Sequence, residues 1–131
     1  MASKVDRNLE FDEVLLDPAK MEEIKQLDPG GSAGLVRRIV GLFIDQTDEM
    51  LRRPLWTAVP IDLNVVMRTA HSMKSTAGAV GARRLSSICA SLERKLRSGE
   101  SADVPRYFAD MQSAYEETRK ALGKSLAEEK A

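Results

Sequence analysis

The stretch "AHSMKSTAGAVG", Ala70–Gly81, decides how this chain is read, because it sets the chain's only histidine among Ser, Thr, Ala and Gly. On a helix turning about 100° per residue, Val66, Ala70, Met73, Ala77 and Val80 fall on one side and form a buried stripe, with Leu63 at its edge. His71 falls about 120° from the centre of that stripe on the same geometry, so it is expected on the exposed side. Asn64, Ser75 and Gly78 share its face, and Lys74 lies at i+3, within reach from the buried side. A glycine inside a helix costs about 1 kcal/mol relative to alanine. Placing Gly78 beside an exposed imidazole implies that something must come close.

Helical periods with clear punctuation extend on both sides. Asp17 and Pro18 read as N-cap and first residue of a short helix that "DPGGS", Asp28–Ser32, ends. A second helix is expected from Ser32 to Arg53, where Leu35, Ile39, Phe43, Thr47 and Leu51 recur every four residues. "RRPLWTAVPID" is a connection marked by two prolines, and its Trp56 is expected over one end of the core. Asp62 caps the helix that carries His71. A fourth helix spans Ala82–Arg97, with Leu85, Ile88, Cys89, Leu92 and Leu96 on one face, and a fifth starts near Asp103–Pro105. No segment alternates with period two. The expected fold is all-α: an antiparallel four-helix bundle with an additional shorter N-terminal helix. Residues 1–16 are expected to form a lead-in, helical or extended over 5–16, residues 17–127 the bundle, and 128–131 a polar tail that frays.

Composition narrows the function classes. At 131 residues the chain is expected to be one domain. The single cysteine, Cys89, excludes an internal disulfide and reads as a small buried hydrophobe. The N-terminus lacks a signal-peptide pattern, and no apolar run approaches the ~18 residues of a membrane span. A cytoplasmic monomer that binds no membrane is the expectation, although the apolar lead-in could dock on another chain. Net charge is zero, yet Asn64–Ser98 carries seven bases against one acid, Glu93, a band of +6. Such a band suggests an anionic partner. Nucleic acid is disfavoured, because the domain is not net basic and aromatics make up only 5%.

The chemistry open to His71 is limited. One histidine makes no multi-His metal site, and no carboxylate or cysteine lies near it on its own face. A catalytic triad needs an acid that orients the imidazole; the sequence places none, though a distant one stays open. The GxxxxGK[ST], GxGxxG and kinase motifs are missing from the sequence, so self-phosphorylation from ATP is not expected. What remains is an exposed nucleophilic imidazole beside an ammonium. A phosphoryl group on the ring would gain charge-assisted hydrogen bonds from Lys74 and Ser75. The small residues, with Asn64 and Gly78 on the open face, would let a second protein close over it. Two alternatives stand beside this one: a helical interaction module without phosphotransfer, and an enzyme using His71 as general base, which would require a deep pocket.

The longer stretch "AHSMKSTAGAVGARRLSSICASLE" resembles the histidine phosphotransfer (HPt) domain family of two-component phosphorelays. The matching residues are Ala70, His71, Met73, Lys74, Gly81, Leu85, Leu92 and Glu93; Ser75 stands where the family often has glycine. The helix order is similar over residues 15–125. The resemblance implies a phosphocarrier without kinase activity of its own. His71 would accept a phosphoryl group from a receiver-domain aspartate, such as that of a hybrid histidine kinase, and pass it to another receiver aspartate. The receiver would supply the catalytic groups and Mg²⁺, so the chain itself would need no cofactor and no metal. Arg68, Arg83 and Arg84 become candidate docking residues.

Overall fold

The computed structural model describes residues 11–130, with side chains to residue 126. Five α-helices follow one another: α1 Pro18–Gln26, α2 Leu35–Arg52, α3 Leu63–Ala79, α4 Arg83–Arg97 and α5 Val104–Lys130. Single 3-10 turns lie at Pro29–Gly31 and Pro54–Trp56, and among the described residues there is no strand. α2 packs on α3, α3 on α4 and α4 on α5, and α5 returns to α2. The four longer helices thus close a bundle, and α1 lies against α2. The all-helical fold expected from the periodicity is the fold observed.

Local chemistry sets the helix starts. The Asp17 carboxylate accepts the Ala19 amide at 3.0 Å, and Asp62 accepts those of Asn64 and Val65 at 3.1 and 3.3 Å. Both caps satisfy donors that a helix start leaves without partners. α2 departs from the expectation: it begins at Leu35, not Ser32. Asp28 supplies the cap from before the 3-10 turn, accepting the Ala33 and Leu35 amides at 3.2 and 3.1 Å. α5 also continues to Lys130, past the expected boundary at Ala127, so the backbone of 128–130 is helical. Ala131 and residues 1–10 lie outside the described residues.

The core is built as the stripes require. Phe43, Val66, Met73, Leu85, Ile88, Leu92, Met111 and Leu122 are buried, each contributing about 1.5–3 kcal/mol by leaving water. Trp56 is buried, donates Nε1–H to the Met50 carbonyl at 2.9 Å and stacks on Phe108 with centroids 5.3 Å apart. Cys89 is buried with Sγ 3.6 Å from Met111 Sδ, and burial pushes its thiol up to about 12, so it is neutral and inert. Leu63 differs from its expected place: as the first residue of α3 it lies at the end of the stripe and is 51% exposed.

The turn between α3 and α4 fixes how these two helices face each other. Gly81 adopts φ 74°, and the bonds Gly81 N–H to Gly78 O (3.2 Å) and Ala82 N–H to Ala77 O (2.9 Å) form a Schellman cap. Packing requires glycine here as well, since a Cβ would stand 2.8 Å from Lys20 Cβ and 3.1 Å from the Asp17 carbonyl oxygen. The Asp17 amide donates to the Gly81 carbonyl at 2.7 Å, so α1 starts directly on this turn.

Of the lead-in, residues 11–16 are described: they are not helical but form a series of bends that lies over the start of α4. Phe11 meets Tyr107 edge-on, centroids 6.0 Å apart. The Asp12 amide donates to Ser87 Oγ at 3.1 Å, and Arg83 Nε donates to Asp12 Oδ2 at 2.9 Å. Arg84 donates to the Asp12 and Glu13 carbonyls and, at 2.8 Å, to Glu117 on α5.

Two glycines of one turn are expected to respond in opposite directions. Gly81→Ala should lose about 2–4 kcal/mol, from left-handed strain and the clash with α1. Gly78 has open space around its Cβ position, so Gly78→Ala should gain up to about 1 kcal/mol. Urea unfolding of both variants checks the contrast, and equal effects would contradict it.

Candidate functional site

His71 stands in the middle of α3 with its side chain 57% exposed, on the side opposite the buried Ala70, Met73, Ala77 and Val80. The acid that the sequence did not place is Glu93, on α4. Its side chain is only 6% exposed and gathers three partners. Oε1 accepts from Lys74 Nζ at 2.6 Å. Oε2 lies 2.7 Å from His71 Nδ1 and accepts from Arg97 at 2.6 Å. Burial alone would raise this carboxyl. The Lys74 hydrogen bond, then those of Arg97 and His71, outweigh it and bring the carboxyl down to about 2.

An ionised carboxylate only accepts hydrogen bonds. His71 therefore donates from Nδ1 to Glu93, and in the neutral ring Nε2 is the nitrogen with the lone pair. The exposed imidazole is thus oriented and held in one tautomer. It borders an open groove of about 570 Å³ between α3 and α4, which Arg94 and Arg97 flank. The groove is open, unlike the deep pocket an enzyme reading would require.

The other candidates fall in different places. Lys74 lines the groove and is bound to Glu93. Ser75 is exposed one turn beyond His71 but outside that groove. Asn64 is exposed in the first turn of α3. Gly78 is exposed, with nothing within 4 Å of a Cβ placed there. Arg68 is exposed and lies outside the groove. Arg83 and Arg84 are drawn into holding residues 11–13, so the cations beside His71 are Lys74, Arg94 and Arg97. Sequence reasoning missed Glu93 and Arg97 as parts of the site. Their i, i+4 spacing on α4 was a visible signal, but it did not say that they face α3. Among the described residues, no three His, Cys, Asp or Glu side chains are grouped to hold a metal.

A closed helical bundle that presents one carboxylate-oriented histidine on an open basic face is the architecture of a phosphotransfer module. The Hpt domain family matches residues 38–121, and the chain belongs to that family. Histidine-containing phosphotransfer protein 2 of Arabidopsis thaliana is 28% identical over 74 residues, 54% of this chain and 47% of that protein. The chain thus spans about half the length of this curated relative. The crystal structure of MtHPt2, a histidine-containing phosphotransfer protein from Medicago truncatula, superposes with a TM-score of 0.74 at 19% identity, covering 98% of this chain and 84% of that one. That of histidine-containing phosphotransfer protein B from Pseudomonas aeruginosa superposes with a TM-score of 0.69 at 24% identity, covering 87% and 96%. At these identities the structural likeness establishes the fold.

Two measurements test the Glu93 hub. Its carboxyl is at about 2 in the folded chain against 4.5 ordinarily, so its stabilising contribution is complete above about pH 4.5 and is lost as pH falls toward 2. The stability difference between wild type and Glu93→Gln in urea unfolding should be flat above that range and shrink within it. A difference constant down to the lower limit would contradict the ionised hub. Nitrogen-15 spectra of neutral His71 should show Nδ1 protonated and Nε2 bare, and Glu93→Ala should mix in the other tautomer.

Proposed function

We propose that His71 accepts a phosphoryl group on Nε2 from the aspartyl phosphate of a receiver domain and transfers it to the aspartate of another. The observation that supports this most directly is the Nδ1–Glu93 hydrogen bond at 2.7 Å, which leaves Nε2 as the nucleophile. In the step, the P–O bond of the acyl phosphate breaks, a P–N bond forms, and the aspartate departs as a carboxylate. The ring keeps its Nδ1 proton and becomes cationic, and the adjacent Glu93 carboxylate stabilises that charge.

The cations around the groove complete the reading. Lys74 has three donors: one is spent on Glu93, and the others can serve phosphoryl oxygens. Ser75 can approach the same group from the far flank of the helix. Gly78 and Asn64 keep that flank low for the partner. Arg68 and the exposed part of Arg83 extend the basic surface beyond the groove, whereas Arg84 serves chiefly as a clamp. The receiver brings Mg²⁺ and the remaining catalytic groups, and its acidic pocket meets a positive face. The chain then works as a cytoplasmic carrier between receivers, one of which can belong to a hybrid histidine kinase.

Incubation with a phosphorylated receiver should place an acid-labile, base-stable phosphoryl group on the chain, and His71→Gln should accept none. Lys74→Ala should slow transfer or shorten the phosphohistidine lifetime by about tenfold, the worth of one charge-assisted hydrogen bond, with the helical signal intact. Labelling of His71→Gln equal to wild type would end the proposal.

A further inference from the structure

The groove beside His71 does not stop at Ala90. A second open groove, of about 350 Å³, shares that residue and runs on toward α1 and the residues before it. Gly78 and Ala90 keep it low, while Asp12, Asp17, Lys20 and Arg83 stand along it. The two grooves differ in kind. Around His71, the cations Lys74, Arg94 and Arg97 outnumber the single carboxylate of Glu93. A field of one sign draws in any partner with an acidic site and does not tell one from another. The second groove carries both signs in a fixed order, and a partner gains there only if its own charges match.

We infer that this second groove is the surface by which the chain discriminates among receiver domains. The inference rests on the reading of His71 as the phosphoryl acceptor. Its occupant is the same receiver whose aspartate faces His71, because the continuity through Ala90 places one rigid partner over both grooves. The wall is ordered before the partner arrives: Asp12 is held by Arg83 and Ser87, and Asp17 by the start of α1 on Gly81. Little ordering entropy is then lost on docking. Lys20 is the free variable in this wall. Among the described residues its ion pair is with Glu23 at 3.4 Å, exposed and within α1, so its charge can change without disturbing the bundle or the His71 site.

The test compares phosphoryl transfer from a panel of phosphorylated receiver domains to wild type, Lys20→Met and Lys20→Glu. The ratio of rates between receivers should change by about three- to tenfold in Lys20→Glu, with Lys20→Met intermediate and the effect weakening as salt rises. Phosphoramidate, too small to reach the second groove from His71, should label all three proteins at one rate. Rates that shift by a common factor for every receiver, or not at all, would overturn the inference and leave the role of His71 standing. Failure of every receiver to label the wild-type chain would overturn both.

Discussion

The structure turns on one buried carboxylate. Taking Glu93 out of water is costly, and the cost is offset because three donors converge on two oxygens within 2.7 Å. Removing any one donor leaves the Glu93 charge, itself only 6% exposed, less compensated, so the four side chains behave as a unit. The unit spans two helices, with His71 and Lys74 from α3 and Glu93 and Arg97 from α4. It joins bundle packing to site chemistry: what holds α4 against α3 also decides which imidazole nitrogen carries the proton.

Such a hub works only at one register between the helices. A slip of one residue turns Glu93 through about 100° on α4 and moves it off His71 altogether. The Gly81 turn prevents the slip. Its left-handed backbone closes the Schellman cap, and its missing Cβ admits Asp17 and Lys20 at the start of α1. Residues 11–13, bound through Arg83 and Arg84, add a second brace from outside α4. The short α1 and the non-helical residues 11–16 before it, which look like appendages to a four-helix bundle, therefore stabilise the turn that aligns the site.

Much of this was legible one helix at a time. Asp17, Pro18 and Asp62 marked true helix starts, the Val66–Val80 stripe marked the buried face, and the angular position of His71 gave its exposure. Three features were not. The start of α2 at Leu35 is not visible because its cap, Asp28, sits seven residues earlier, beyond the reach of a local capping rule. Glu93 stands out in the sequence as the lone acid of a basic band, but its contact with His71 does not, since a projection of α3 contains only α3. The hold of Arg83 and Arg84 on residues 12 and 13 has no signal in the sequence, because charge carries no address there and Asp12 is 71 residues away from Arg83 along the chain. In each case the missing information was a contact between elements.

The same distinction governs the charge of the surface. A +6 band inside a neutral chain suggests an anionic partner, and the fold divides that band. Arg83 and Arg84 are spent on the lead-in and Glu117, while Glu93 balances only part of what Lys74, Arg94 and Arg97 bring to the groove. Beside the imidazole, Lys74, Arg94 and Arg97 line one groove, while exposed Arg68 carries positive charge outside it. Coulomb attraction falls with distance and is screened by salt over about 8–10 Å. Proximity is thus what makes these three cations effective on a group arriving at Nε2. On the proposed reading, the adjoining mixed-charge surface is then left to respond to the shape and charge of the receiver.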